Sequence, residues 1–91
     1  MTTAQRKYWD FVGSLPCQLC GCHGVQVSHS NQARGLSQKS AWWRVAAICP
    51  REHHEIDNGK DMTQMERRYW HALAELRTID AAIQAGRLVL R

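Results

Sequence analysis

Apolar and polar positions along this chain follow two periods, helical and alternating, and the switches between them mark out its elements. In residues 3–14, TAQRKYWDFVGS, Tyr8 and Phe11 or Val12, followed by Leu15, recur at helical spacing. Gly13 weakens the last turn and Pro16 follows, so a short helix is predicted to stop there. Residues 25–30, VQVSHS, alternate apolar and polar side chains, as a short strand does. After a polar loop at 31–41, WWRVAAIC at 42–49 is a second strand candidate. Residues 50–58 space His, Glu, Ile and Asp as one or two helical turns would. Gly59, Lys60 and Asp61 break the pattern. Thr63 and Glu66 then form a capping box, in which the hydroxyl and the carboxylate each satisfy the other residue's backbone N–H. The helix it opens is predicted to run from about 63 or 64 to 85 and to end at Gly86. Its apolar stripe reads Met65, Tyr69, Leu73, Leu76, Ile79 or Ala82, and Ile83. The terminal LVLR is a short strand or a docked tail. The expected class is therefore α+β, with no internal repeat.

Length adds a constraint. A chain of 91 residues is expected to form one domain, with its core at about residues 16–60. So small a domain buries a thin core and usually needs a staple: a metal, disulfides or association. No apolar run approaches the roughly 20 residues of a membrane span. The opening MTTAQRKYWDF has no apolar segment of the kind a signal peptide carries, which points to a cytoplasmic location. Thiols stay reduced there, so the four cysteines read as metal ligands before disulfides. The net charge of +4 favours a polyanion as partner, although many mildly basic domains have none.

Cys17 and Cys20 stand two residues apart, a spacing at which one tight turn offers both sulfurs to one ion. Zinc takes four ligands at tetrahedral angles and favours thiolate and imidazole. Cys49 and a following histidine, His53 or His54, complete the set. Glu52 occupies the slot where a more regular knuckle would carry its second ligand, so His53 is assigned from one residue later. Cys22 and His23 are spare candidates. The plain reading is four reduced cysteines and no metal.

A second group joins Ser28, His29, Ser30 and Asn31 to His53, His54, Glu55, Ile56 and Asp57. A neutral imidazole at a strand end can take a proton from water. A divalent ion held by histidine and aspartate can stabilise the oxygen leaving a phosphodiester. On a helix, His53 and Asp57 lie four apart on one face, and His54 and Asp57 three apart. Taken singly, His29 is an ordinary core or surface histidine and Asp57 an ordinary turn residue. Arg34, Lys39, Arg44, Arg51 and Lys60 flank the group and can neutralise phosphates, or simply be solvated, as Arg67 and Arg68 are expected to be. The four tryptophans read first as core packing; Trp42 or Trp43 can also stack on a base.

The order of these parts resembles the HNH nucleases with their ββα-metal site. More narrowly it is similar to small phage and prophage HNH-type proteins related to the recombination-enhancement (Ref-like) nucleases. The residues that carry the likeness are Pro16-Cys17-x-x-Cys20-Gly21, Ser28 to Gln32, Lys39-Ser40, and Cys49 through Gly59. The resemblance implies structural zinc away from the chemistry, His29 as general base, and a helix histidine with Asp57 holding a catalytic ion, often magnesium. The residues assigned on this basis are Cys17, Cys20, Cys49 and His53 for zinc, and His29, Asn31, His54 and Asp57 for catalysis. The converse, His54 for zinc and His53 with Asp57 for the catalytic ion, is also consistent with the spacing. Asn31 would orient His29 or the hairpin loop. Relatives commonly carry Cys or His where this chain has Glu52, and Asp where it has Trp42, and the loop before Lys39 is short.

The expected function is metal-dependent hydrolysis of DNA phosphodiester bonds in phage or prophage recombination or DNA processing, with a homodimer or a recombinase as possible partner. The alternative is a zinc-stapled module that grips DNA, RNA or protein and cuts nothing.

Overall fold

A computed structural model describes residues 2–29, 42–59 and 62–88. Helix α1 (Thr3–Ser14) leads to strand β1 (Gln26–His29), then strand β2 (Val45–Ile48), helix α2 (Pro50–Asn58) and helix α3 (Gln64–Gln84). The architecture is α+β: three helices around one two-stranded antiparallel sheet. Both long helices start on capping boxes. Thr63 with Glu66 was legible as one, and Thr2 with Gln5 forms the other. Helix α3 ends as expected, with Gly86 at φ +71, a conformation a side chain rarely tolerates.

The sheet register pairs Gln26 with Ile48, Val27 with Ala47, Ser28 with Ala46 and His29 with Val45. Strand side chains alternate between faces, so Gln26, Ser28, Ala46 and Ile48 share one face and Val27, His29, Val45 and Ala47 the other. Each face has its own core. On the first, Ala46 and Ile48 pack with Cys17, Cys49, Ile56 of α2 and Ala74 of α3. On the second, Val45 and Ala47 pack with Tyr8 and Val12 of α1 and with Ala82 of α3. Helix α1 is anchored twice at the entry to β2: Tyr8 donates its hydroxyl to the Trp43 carbonyl at 3.0 Å, and Trp9 donates its indole N–H to the Trp42 carbonyl at 2.7 Å.

Helix α3 runs along β2, and its contacts match the expected stripe only in part: Ala82 is buried and Leu73, Ile79 and Ile83 are half-buried. Met65, Tyr69 and Leu76 are exposed, at 80%, 59% and 66%. The buried residues are His71, Ala74, Glu75, Thr78 and Ala82. The reason is steric and polar together. Ala74, Thr78 and Ala82 recur every four residues and are small enough to bring the helix against the strand. The Thr78 hydroxyl accepts the Ala47 backbone N–H at 3.1 Å and donates to the Ala74 carbonyl at 2.8 Å. Ala47's carbonyl, in turn, accepts the Gln18 N–H at 2.9 Å. An edge position of β2 is thereby satisfied by a helix on one side of the peptide and by the cysteine turn on the other.

The stability consequence is measurable. Thr78→Val keeps the shape but strands a buried N–H, so it should lower unfolding free energy by about 1–3 kcal/mol. Leu76→Ala, on the exposed face, should change it by less than about 0.5 kcal/mol. Denaturant midpoints in the reverse order would refute this placement of α3.

Candidate metal centre and the histidine–aspartate pair on helix α2

The first knuckle is a tight turn. Gly21 N–H donates to the Cys17 carbonyl at 2.8 Å, and Cys17 N–H to the Cys22 carbonyl at 2.7 Å. Gly21 at φ +81 makes the reversal possible without steric cost. Arg77 of α3 donates to the Gln18 carbonyl at 2.8 Å and holds the turn against the helix. The second knuckle is Cys49, which caps α2 directly after β2. The turn and the strand end therefore converge.

They bring Cys17, Cys20 and Cys49 together, with ligand sulfurs all within 4.8 Å of one another. Cys20 Sγ and Cys49 Sγ are 3.5 Å apart, far beyond the about 2.05 Å of a disulfide. Zinc–sulfur bonds of about 2.3 Å at tetrahedral angles would place neighbouring sulfurs about 3.8 Å apart, so three thiolates here fit such an ion. Cys17 and Cys49 are buried, and Cys20 and Cys22 are exposed.

The thiols are not equivalent. The Cys22 backbone N–H beside it draws Cys20 down; desolvation opposes this, the neighbouring thiols of Cys17, Cys22 and Cys49 add to it, and Cys20 settles at about 7. Cys22 is pushed up, first by its hydrogen bond with Cys20 and then by the Cys20 charge. Cys49 is pulled down by the Glu52 amide, although it makes no capping hydrogen bond, but desolvation and the Cys20 and Cys17 thiols outweigh that and raise it. The Arg51 guanidinium is held charged by its contact with Cys20, then by the charges of Cys20, Glu52 and Cys22.

His53, expected to close this site, is engaged elsewhere. Its Nδ1 lies 2.7 Å from Gln26 Oε1 on β1, and its Nε2 lies 3.1 Å from Asp57 Oδ2, one turn on along α2. Of the two pairings the spacing allowed, the structure brings His53, not His54, to Asp57. His54 is exposed on the same helix. His29 sits on the other face of the sheet, its ring edge-on to Trp9 at 4.8 Å between centroids. Asn31, with Ser30, Arg34, Lys39 and Lys60, lies outside the described residues.

Two features were missed from sequence. Arg67, expected to be solvated, reaches from α3 to the end of α2. Its guanidinium donates to the Asp57 and Gly59 carbonyls, so it closes the helix that carries His53 and Asp57. Gly59 is required there by space, since a Cβ would collide with the Glu55 carbonyl. The second is a buried chain across the first sheet face. Ser28 Oγ lies 3.0 Å from His71 Nε2, His71 Nδ1 lies 3.6 Å from Glu75 Oε2, and Arg44 lies 3.9 Å from the same oxygen. The i, i+4 spacing of His71 and Glu75 was the available signal, and it was hidden by the more apolar stripe beside it.

Thiolate is the nucleophile in alkylation, so the shifts set an order of reaction. In chelator-treated protein, Cys20 should be the first thiol modified by iodoacetamide. Its rate should climb as pH rises through about 7, where the thiol becomes thiolate. Peptide mapping that found Cys22 or Cys49 modified first at neutral pH would contradict the arrangement.

Among the described residues no helix is long and apolar enough to cross a membrane. The chain matches no protein-family model, no curated protein and no solved structure.

Proposed function

We propose that the chain is a metal-dependent DNA endonuclease of HNH type, built on a zinc-stapled ββα unit formed by β1, β2 and α2. The observation that carries this reading is the His53–Asp57 pair. Two ligands about 2.1 Å from a divalent ion at right angles lie about 3.0 Å apart, and Nε2 and Oδ2 stand 3.1 Å apart. Gln26 Oε1 accepting from Nδ1–H leaves the Nε2 lone pair directed at that position. The pair is half exposed, and thus open to a substrate.

In this reading Cys17, Cys20 and Cys49 hold a structural zinc, and His53 with Asp57 hold the second ion, magnesium being the expected choice. That ion would supply charge stabilisation for the phosphate oxygens as the bond breaks. His29 takes the proton of the attacking water, Asn31 orients it, and exposed Arg44 and Arg51 neutralise phosphates of the DNA. Recombination or DNA processing in a phage or prophage, in the cytoplasm of the host, is the setting the sequence resemblance suggests.

One observation favours a second reading, a zinc-stapled module that binds nucleic acid without cutting it. His29 packs on Trp9 of α1, on the sheet face opposite Gln26, and so away from the histidine–aspartate pair that it would serve.

Supercoiled plasmid separates the two. With magnesium or manganese, wild type should nick it. Asp57→Ala and His29→Ala should each slow nicking by about 100-fold or more while DNA retention at low salt stays intact. Retention that falls with salt, but no nicking by wild type, would establish the binding module instead. No salt-dependent retention would exclude both.

A further inference from the structure

Three cysteines leave one position of a tetrahedral ion to be filled, and the residues around the cluster decide what fills it. His53 is committed to Gln26 and Asp57 through both ring nitrogens. His54 lies exposed on α2, and His23 is exposed beyond the turn. Cys22 is different. Its own carbonyl accepts the Cys17 N–H at 2.7 Å, which folds the chain after Cys20 back over the first ligand of the set. Its thiol is exposed, like that of Cys20 two residues before it on the same turn.

We propose that Cys22 is the fourth metal ligand, so that Cys17, Cys20, Cys22 and Cys49 form a four-thiolate site. The inference rests on the reading that the cysteine cluster holds a metal, and it names the ligand set.

The chemistry is balanced. Four thiols give up four protons to solvent as the ion binds, and four thiolates around a divalent cation carry a net charge of −2. Arg51, two residues after Cys49 in the first turn of α2, brings a positive charge to this end of the site. Cys22 falls outside the group of sulfurs already mutually within 4.8 Å, so its side chain closes onto the ion when the ion binds. An exposed turn that pivots at Gly21 allows that movement at little cost. It also explains why Glu52 can stand where a histidine or cysteine would otherwise be needed: the first knuckle supplies three ligands and the second needs only Cys49.

The test counts protected thiols. Full-length reduced protein, stripped by chelator and reloaded with one equivalent of zinc, is treated with N-ethylmaleimide and read by intact mass and peptide mapping. All four cysteines should be protected. Cys22→Ser should lose zinc to a competing chelator with an affinity at least ~100-fold lower, while His23→Ala, at the exposed histidine next to it, should match wild type. The exposure of Cys22 means that the serine variant keeps its fold, which circular dichroism would confirm. Cys22 modified while Cys17, Cys20 and Cys49 stay protected would overturn the proposal, as would a Cys22→Ser chain that holds zinc as tightly as wild type. Zinc that protects no cysteine would overturn both the fourth ligand and the metal centre itself.

Discussion

Ala47 is the residue on which the rest of the arrangement depends. A two-stranded sheet of four residue pairs does not stand alone in water. Ala47 turns its N–H and its C=O away from β1, and both must find partners because the residue is fully buried. Thr78 takes the N–H from α3, and Gln18 supplies the carbonyl's donor from the turn between Cys17 and Cys20. One peptide position thus fixes the hairpin, the long helix and the first cysteine knuckle relative to one another. Cys49 follows Ile48 at the end of the same strand, so the two knuckles meet as a consequence of how β2 is edged. The cysteine cluster is a product of backbone satisfaction.

The two faces of the sheet then divide the work. One carries the cysteines, Gln26 and its contact with α2, and the buried Ser28–His71–Glu75 chain to α3. The other is an aromatic and aliphatic core, in which Tyr8, Trp9 and Trp42 seat α1 on the strands. Strand alternation assigns His29 to the aromatic face and Gln26 to the cysteine-bearing face. The histidine thought of as a base and the pair thought of as an ion site are therefore separated by the sheet. In the nuclease reading this separation is the feature that chemistry must overcome, and in the binding reading it has no cost.

Much of this was legible in the residues. The Thr63–Glu66 box, the break at Gly59 and the stop at Gly86 located α3, because capping is a local matter of donors and acceptors. The alternation at 25–30 gave the hairpin, and the spacing of Cys17, Cys20 and Cys49 gave the cysteine cluster. The orientation of α3 was legible only in part. The expected stripe held Ala82, which is buried, but also Met65, Tyr69 and Leu76, which are exposed, and it left out Ala74 and Thr78. What decides it is the strand beside the helix, which needs small side chains and one hydroxyl. Arg67 was missed for a related reason: nothing in its neighbours along the chain reveals that the end of α2 lies beside it. The partner of Asp57 stayed ambiguous because a four-residue and a three-residue spacing both suit a helix, and only Gln26, from a distant strand, selects His53.

Zinc-edge X-ray absorption on the purified protein tests whether the converging knuckles form a sulfur site for a metal. A first shell dominated by sulfur at about 2.3 Å is expected. Bound zinc with a shell of only nitrogen and oxygen near about 2.0 Å, or protein that folds fully and takes up no zinc, would contradict it.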